Sequence, residues 1–157
     1  MSEQTPPQPA ITIAKIYLKD LSLEIPHAPE IFLDREAPQV DVNIHNENRK
    51  LDQENLYETV LTVTLTAKIK EKTVFLVEAA QAGVFELRNV AADDIDPVLG
   101  MFCPTQLFPY VREAITGIVA RAGFPPVVLD PVNFEPIYRQ QQEQRQQEAA
   151  ATQPTTH

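Results

Sequence analysis

The sequence predicts an α+β fold, and three observations carry that expectation. In "YETVLTVTLTAKIK" (57–70), Tyr57, Thr59, Leu61, Val63, Leu65, Ala67 and Ile69 fall on one strand face. Glu58, Val60, Thr62, Thr64, Thr66 and Lys68 fall on the other, so the strand has one packed face and one wetter, threonine-rich face. "TVFLVEAAQ" (73–81) follows after a short polar turn, the natural partner in an antiparallel hairpin. Past Gly100 the period changes: Leu107, Phe108, Val111, Ile115, Ile118, Val119 and Ala122 recur at helical spacing.

The remaining elements follow in chain order. Residues 1–10 carry three prolines and few apolar groups and read as a disordered tail, with the folded domain at 11–147. "ITIAKIYLKDLSLE" (11–24) and "QVDVNIH" (39–45) are strand candidates. Between them "IPHAPEIFLDREAP" has three prolines, cannot be a central strand, and forms a long loop. "AADDIDP" reads as a solvated turn or helix start, since it lacks the ligand spacing and central glycine of a calcium loop. In "CPTQLFPYVRE", Pro104 suits a first helical turn and Pro109 disturbs one, so the helix is expected from about 105. Gly123 with Pro125 and Pro126 stops it. "GFPPVVLDPVNF" is a second apolar, proline-rich loop, and a polar helix over roughly 134–148 follows with Asn133 as its N-cap. Residues 148–157 read as a flexible tail.

With 157 residues, the chain can bury roughly two thirds of its unfolded surface in one core. Acids outnumber bases 22 to 13, and the excess lies in residues 1–100, with 17 acids and 9 bases. Phosphate backbones need cationic side chains, so no nucleic-acid partner is expected; a basic protein meeting the first two thirds fits better. The N-terminus lacks the pattern of a signal peptide, and no apolar run of about 18 residues could span a bilayer. The expected location is the cytosol.

The search for chemistry yields no enzyme. Cys103 is the single cysteine, and His27, His45 and His157 all lie far from it in sequence. A lone cysteine in this setting reads as a small buried apolar residue. None of the four glycines builds a phosphate-cradling loop, and neither metal nor cofactor is expected. Instead the loops 25–38 and 123–134 hold apolar side chains such as Ile31, Phe32, Leu33, Phe124, Val127, Val128, Leu129 and Phe134. These either frame a groove for an extended polypeptide or fold down to complete the core. A small α+β enzyme or ligand-binding protein with a pocket beneath the loops is the alternative class.

"KIYLKDLSLEIPHAP" (15–29), "FLVEAAQAGVFEL" (75–87) and above all "CPTQLFPYVREAITGIVARAGFPPVVLDPVNF" (103–134) resemble SecB, the bacterial protein-export chaperone family. The resemblance spans about residues 11–139 in the family's order. It implies a four-stranded antiparallel sheet packed by two helices and a dimer of dimers. It also implies ATP-independent holding of unfolded precursor proteins and their delivery to the SecA translocation motor. By resemblance the client contacts are Ile31, Phe32, Phe124, Val128, Leu129, Phe134 and Tyr138. The matching SecA-facing positions are Asp20, Glu24, Leu76 and Glu78; Leu76 and Glu78 share strand parity, as do Asp20 and Glu24. Ala82 stands in "QAG" where many members have two glycines. A SecB-like chaperone of another client, such as an antitoxin, is the neighbouring alternative.

Overall fold

The computed structural model of the chain describes residues 4–152. Four strands, β1 (Ala10–Glu24), β2 (Gln39–Lys50), β3 (Leu56–Ile69) and β4 (Lys72–Arg88), form one antiparallel sheet in the order β1-β4-β3-β2. β3 and β4 are the expected hairpin, and β4 runs seven residues past Gln81, to Arg88. β2 likewise continues from His45 to Lys50. Because β1 and β2 are opposite edges, the segment between them must cross the whole sheet. That requirement explains its length and prolines. One short 3-10 turn, Glu30–Leu33, lies within it and buries Ile31.

Strand alternation sorts the sheet as the sequence implies. Leu61, Val63, Leu65 and Ala67 of β3 are fully buried, opposite Gln81, Ala79, Val77 and Phe75 of β4. On that inner face lies α2 (Cys103–Arg121), whose Leu107, Val111, Ile115 and Val119, spaced four apart, are also fully buried. Each such side chain contributes roughly 1.5–3 kcal/mol by leaving water. Gly83 permits the close approach: a Cβ there would lie 2.8 Å from the Phe85 ring and 3.0 Å from Leu107. Cys103 sits in this core, and burial pushes its thiol up to about 12 despite a hydrogen bond with Thr59, which removes nucleophilic character at neutral pH.

α2 begins at Cys103, close to the expected 105, but helical backbone already precedes it. The backbone is helical from α1 (Ala92–Pro97), through a π-turn at Val98–Phe102, into α2. In the π-turn the Cys103 N–H bonds the Val98 carbonyl. In the same register Pro104 would serve the Leu99 carbonyl, but proline has no N–H. Asn46 Nδ2 of β2 donates to that carbonyl instead, at 3.2 Å. A side chain 53 residues away thus satisfies the group that the proline leaves open. Pro104 therefore stands in the first turn of α2, as expected, but inside a helical path that is already under way.

α3 (Phe134–Ala151) begins as expected, with Asn133 Oδ1 accepting from the Glu135 N–H at 3.1 Å. It docks through two rings near its start. Phe134 meets Phe108 edge-on with centroids 6.2 Å apart, and Tyr138 lies against Gly100 so closely that a methyl there would overlap the ring. Tyr138 Oη donates to Asp96 Oδ2 at 3.0 Å, and Arg145 approaches Asp96 at 3.8 Å.

The outer face holds one buried charge. Glu58 of β3 is 5% exposed and lies between Tyr17 and Lys19 of β1 and Arg49 of β2, all of which donate to its carboxylate. Burial alone would raise its pKa; hydrogen bonds from Tyr17, Lys19 and Arg49 and the charge of Lys19 outweigh it and bring it to about 2. The same burial, together with the carboxylate, pushes the Tyr17 hydroxyl up to about 12. Ala82, directly opposite both Tyr17 and Val60, is fully buried beneath this arrangement.

Two outcomes are expected. An unfolded glutamate titrates near about 4.3, so the stability Glu58 contributes is complete above about pH 5 and drains away as pH falls towards 2. Urea unfolding of Glu58→Gln at fixed protein concentration should show a loss of up to roughly 3 kcal/mol at pH 7, shrinking towards zero at acid pH. Gly100→Ala should release α3 by displacing Tyr138 while leaving the sheet intact. Hydrogen exchange would then rise over residues 134–151 and stay low in β3 and β4.

Candidate functional site

Both proline-rich loops converge on one aromatic contact. Gly123 ends α2 at φ +94°, a left-handed conformation suited to glycine, and turns the chain so that Phe124 points back over the sheet. Phe124 stacks on Phe32 of the first loop at 5.1 Å and tilts against Phe75 of β4 at 4.9 Å. The second loop is tied to α2 by the Thr116 hydroxyl, which donates to the Val127 carbonyl at 2.7 Å. Between the loops and the sheet end lies an open, mainly apolar groove of about 450 Å³ on the helix-bearing side. Phe32, Phe124 and Ile31 line it, together with Val40, Ile69, Val74, Phe75 and Pro125–Val127.

The structure divides the seven side chains expected to meet a client. Phe32 and Val128 are exposed, at 46% and 70%, and Phe124 is half-buried. Ile31, Leu129, Phe134 and Tyr138 are buried, so in the protomer these four complete the core. The fold-down reading thus holds for these four, while Phe32 and Phe124 border the groove. Val40 and Val74 join the groove without having been singled out; Val40's place in the alternation of "QVDVNIH" was the available signal.

On the other side of the sheet, Asp20, Glu24, Leu76 and Glu78 lie together. Asp20 pairs with Ala80, Ser22 with Glu78 and Glu24 with Leu76, so the three acids and the leucine occupy adjacent outward positions on β1 and β4. The acids are exposed and Leu76 is half-buried. Thr64 Oγ1 donates to Glu78 Oε2 at 3.1 Å, and Thr62 and Thr66 extend the same outward row of β3. A flat, acidic surface with one apolar residue favours a basic ligand carrying an apolar group. Glu58 lies a few positions along β3 on the face its alternation predicts, but its burial and its partners, 41, 39 and 9 residues away, are not legible in the sequence.

Among the described residues no three His, Cys, Asp or Glu side chains converge to hold a metal, and no helix is long and apolar enough to cross a membrane. His157 lies outside the described residues.

Comparison with known proteins agrees with this architecture. The family model for preprotein translocase subunit SecB matches residues 4–145. The chain is 58% identical over 150 residues to the protein-export protein SecB of Methylobacillus flagellatus, covering 96% of this chain and 93% of that one. It is 52% identical over 145 residues to that of Chromobacterium violaceum, covering 92% and 96%. A SecB-like chaperone of Mycobacterium tuberculosis, solved in complex with a peptide from an antitoxin, shares the fold with a TM-score of 0.66. It covers 78% of this chain and 91% of that one at 15% identity. With the family model spanning nearly the whole described chain and relatives sharing more than half its residues, the chain belongs to the SecB family.

Proposed function

We propose that this chain is a cytosolic protein-export chaperone that holds unfolded precursor proteins without catalysis and delivers them to the SecA motor. The observation that carries the reading is the separation of two surfaces by one sheet. The apolar groove under Phe32 and Phe124 opens on the helix side, and the acids Asp20, Glu24 and Glu78 stand on the other. Apolar burial along a groove retains extended chains with little sequence selectivity, while an acidic face selects a basic docking partner. The antitoxin-bound protein shares the fold at 15% identity, whereas the protein-export relatives share over half their residues, which favours export over antitoxin binding.

The protomer also leaves apolar side chains on the inner side of its edge strands. Ile13, Leu18 and Leu21 of β1 and Val40 and Val42 of β2 are 36–47% exposed, and Phe102 and Tyr110, beside or on α2, are exposed at 41% and 49%. Covering such surfaces is what a dimer of dimers would do, with β1 extending the sheet and the helices enclosed.

The wild-type chain should slow the refolding of a slowly folding precursor; an unchanged refolding rate would remove the holding role. Phe32→Ser with Val128→Ser should weaken precursor binding about tenfold while SecA binding persists. Asp20→Lys with Glu78→Lys should do the reverse. If either pair of changes affected both ligands equally, or neither, the division of surfaces would be wrong.

A further inference from the structure

Strand β1 does not alternate straight through: its register shifts at Ala14, between Ile13 and Lys15, and again at Lys19, beside the acidic face. Ile16 and Leu18 pair with Gly83 and Gln81 and point to the helix side. Simple alternation would turn Asp20 the same way. Lys19, however, is an extra residue: Leu18 pairs with Gln81 and Asp20 with the very next residue of β4, Ala80. Such a bulge reverses the facing of everything after it. Leu21 and Leu23 then meet Ala79 and Val77 on the helix side, while Asp20, Ser22 and Glu24 turn outward beside Glu78 and Leu76.

The bulge is held by charge. Lys19 Nζ reaches across β4 to both carboxylate oxygens of Glu58, at 3.1 and 3.2 Å. The outward residues of β4 along this path are Ala80 and Ala82, small enough to be crossed, and Tyr17 reaches the same carboxylate. Arg49 approaches from the far strand at 3.1 Å, so Glu58 has a fixed place on the face. The apolar residues alone discriminate weakly between registers, because Leu18 and Leu21 remain 44% and 36% exposed in the protomer. A regular register with Lys19 opposite Ala80 would turn Asp20, Ser22 and Glu24 inward.

We propose that Lys19, anchored on Glu58, is a positioning residue for the acidic docking face. Its locked bulge holds Asp20 and Glu24 on the same side as Leu76 and Glu78. This deepens the SecA-docking reading and rests on it. Glu58 also takes up the charge of Lys19, which would otherwise offset the neighbouring acids.

The test uses the full chain with Lys19→Met, Lys19→Arg, Glu58→Gln and Asp20→Lys, purified SecA as the ligand, and thiol labelling of a Ser22→Cys reporter. Native Cys103 is fully buried and does not compete for label. Removing a cation from an acidic face would, by charge alone, strengthen binding of a basic partner. The expected result is the opposite: Lys19→Met and Glu58→Gln weaken SecA binding about tenfold, and Lys19→Arg restores it. Precursor binding stays unchanged, and the Ser22→Cys reporter labels several times more slowly in the Lys19→Met background. If Lys19→Met binds SecA as well as wild type while Asp20→Lys weakens it, the positioning role is overturned and docking stands. If Asp20→Lys has no effect, docking on this face is wrong. The labelling rate then decides the facing of β1 without SecA, and an unchanged rate overturns the positioning role. Should Glu58→Gln fail to fold, Lys19→Met, at a half-exposed side chain, carries the test.

Discussion

The packing of α2 against the inner face of β3 and β4 is the interaction on which everything else in this chain depends. Leu107, Val111, Ile115 and Val119 form a stripe that buries completely on Leu61, Val63, Leu65 and Val77. Helices on one side only leave the other side of the sheet in water, which is why the outward row of β3 is threonine rather than leucine. The same packing sets where α2 ends, and Gly123 there aims Phe124 at Phe32 and Phe75. Groove and acidic face are thus two consequences of one asymmetric core.

The interior supplies stability without specifying position at the edges. β1 contacts the core through residues that remain partly exposed, so its register needs a further determinant. A buried carboxylate with three donors from two other strands is suited to that role, because removing any partner would leave a charge poorly compensated. The fold therefore combines a non-directional apolar core with one directional polar anchor on the opposite face. Asn46 plays a comparable part on the inner side, giving the Leu99 carbonyl the donor that Pro104 lacks.

Periodicity made the hairpin, the inner face of β3 and the buried stripe of α2 readable in the sequence, because each repeats a local pattern. Asn133 as N-cap and Cys103 as a buried residue were equally local readings. The helical path upstream of α2 was not readable: Pro104 argues for a helix that starts there, and a π-turn with a distant asparagine carries the helix past it. Nor was the division of the loop residues, since Ile31 and Phe32 are neighbours of similar character and only the fold buries one and exposes the other. Strand parity paired Asp20 with Glu24 correctly, but it could not show that a bulge one residue earlier is what turns both outward.

The separation of the two surfaces has a direct consequence for assembly with ligands. On the proposed reading, a chain that holds a precursor on the helix side keeps Asp20, Glu24 and Glu78 free, so holding and docking would not compete. Multi-angle light scattering of the chain with an unfolded precursor, with SecA, and with both would measure this. The expected result is a particle of four 17.6 kDa protomers that carries precursor and SecA at the same time. Release of the precursor whenever SecA binds, or a protomer mass unaffected by either, would contradict it.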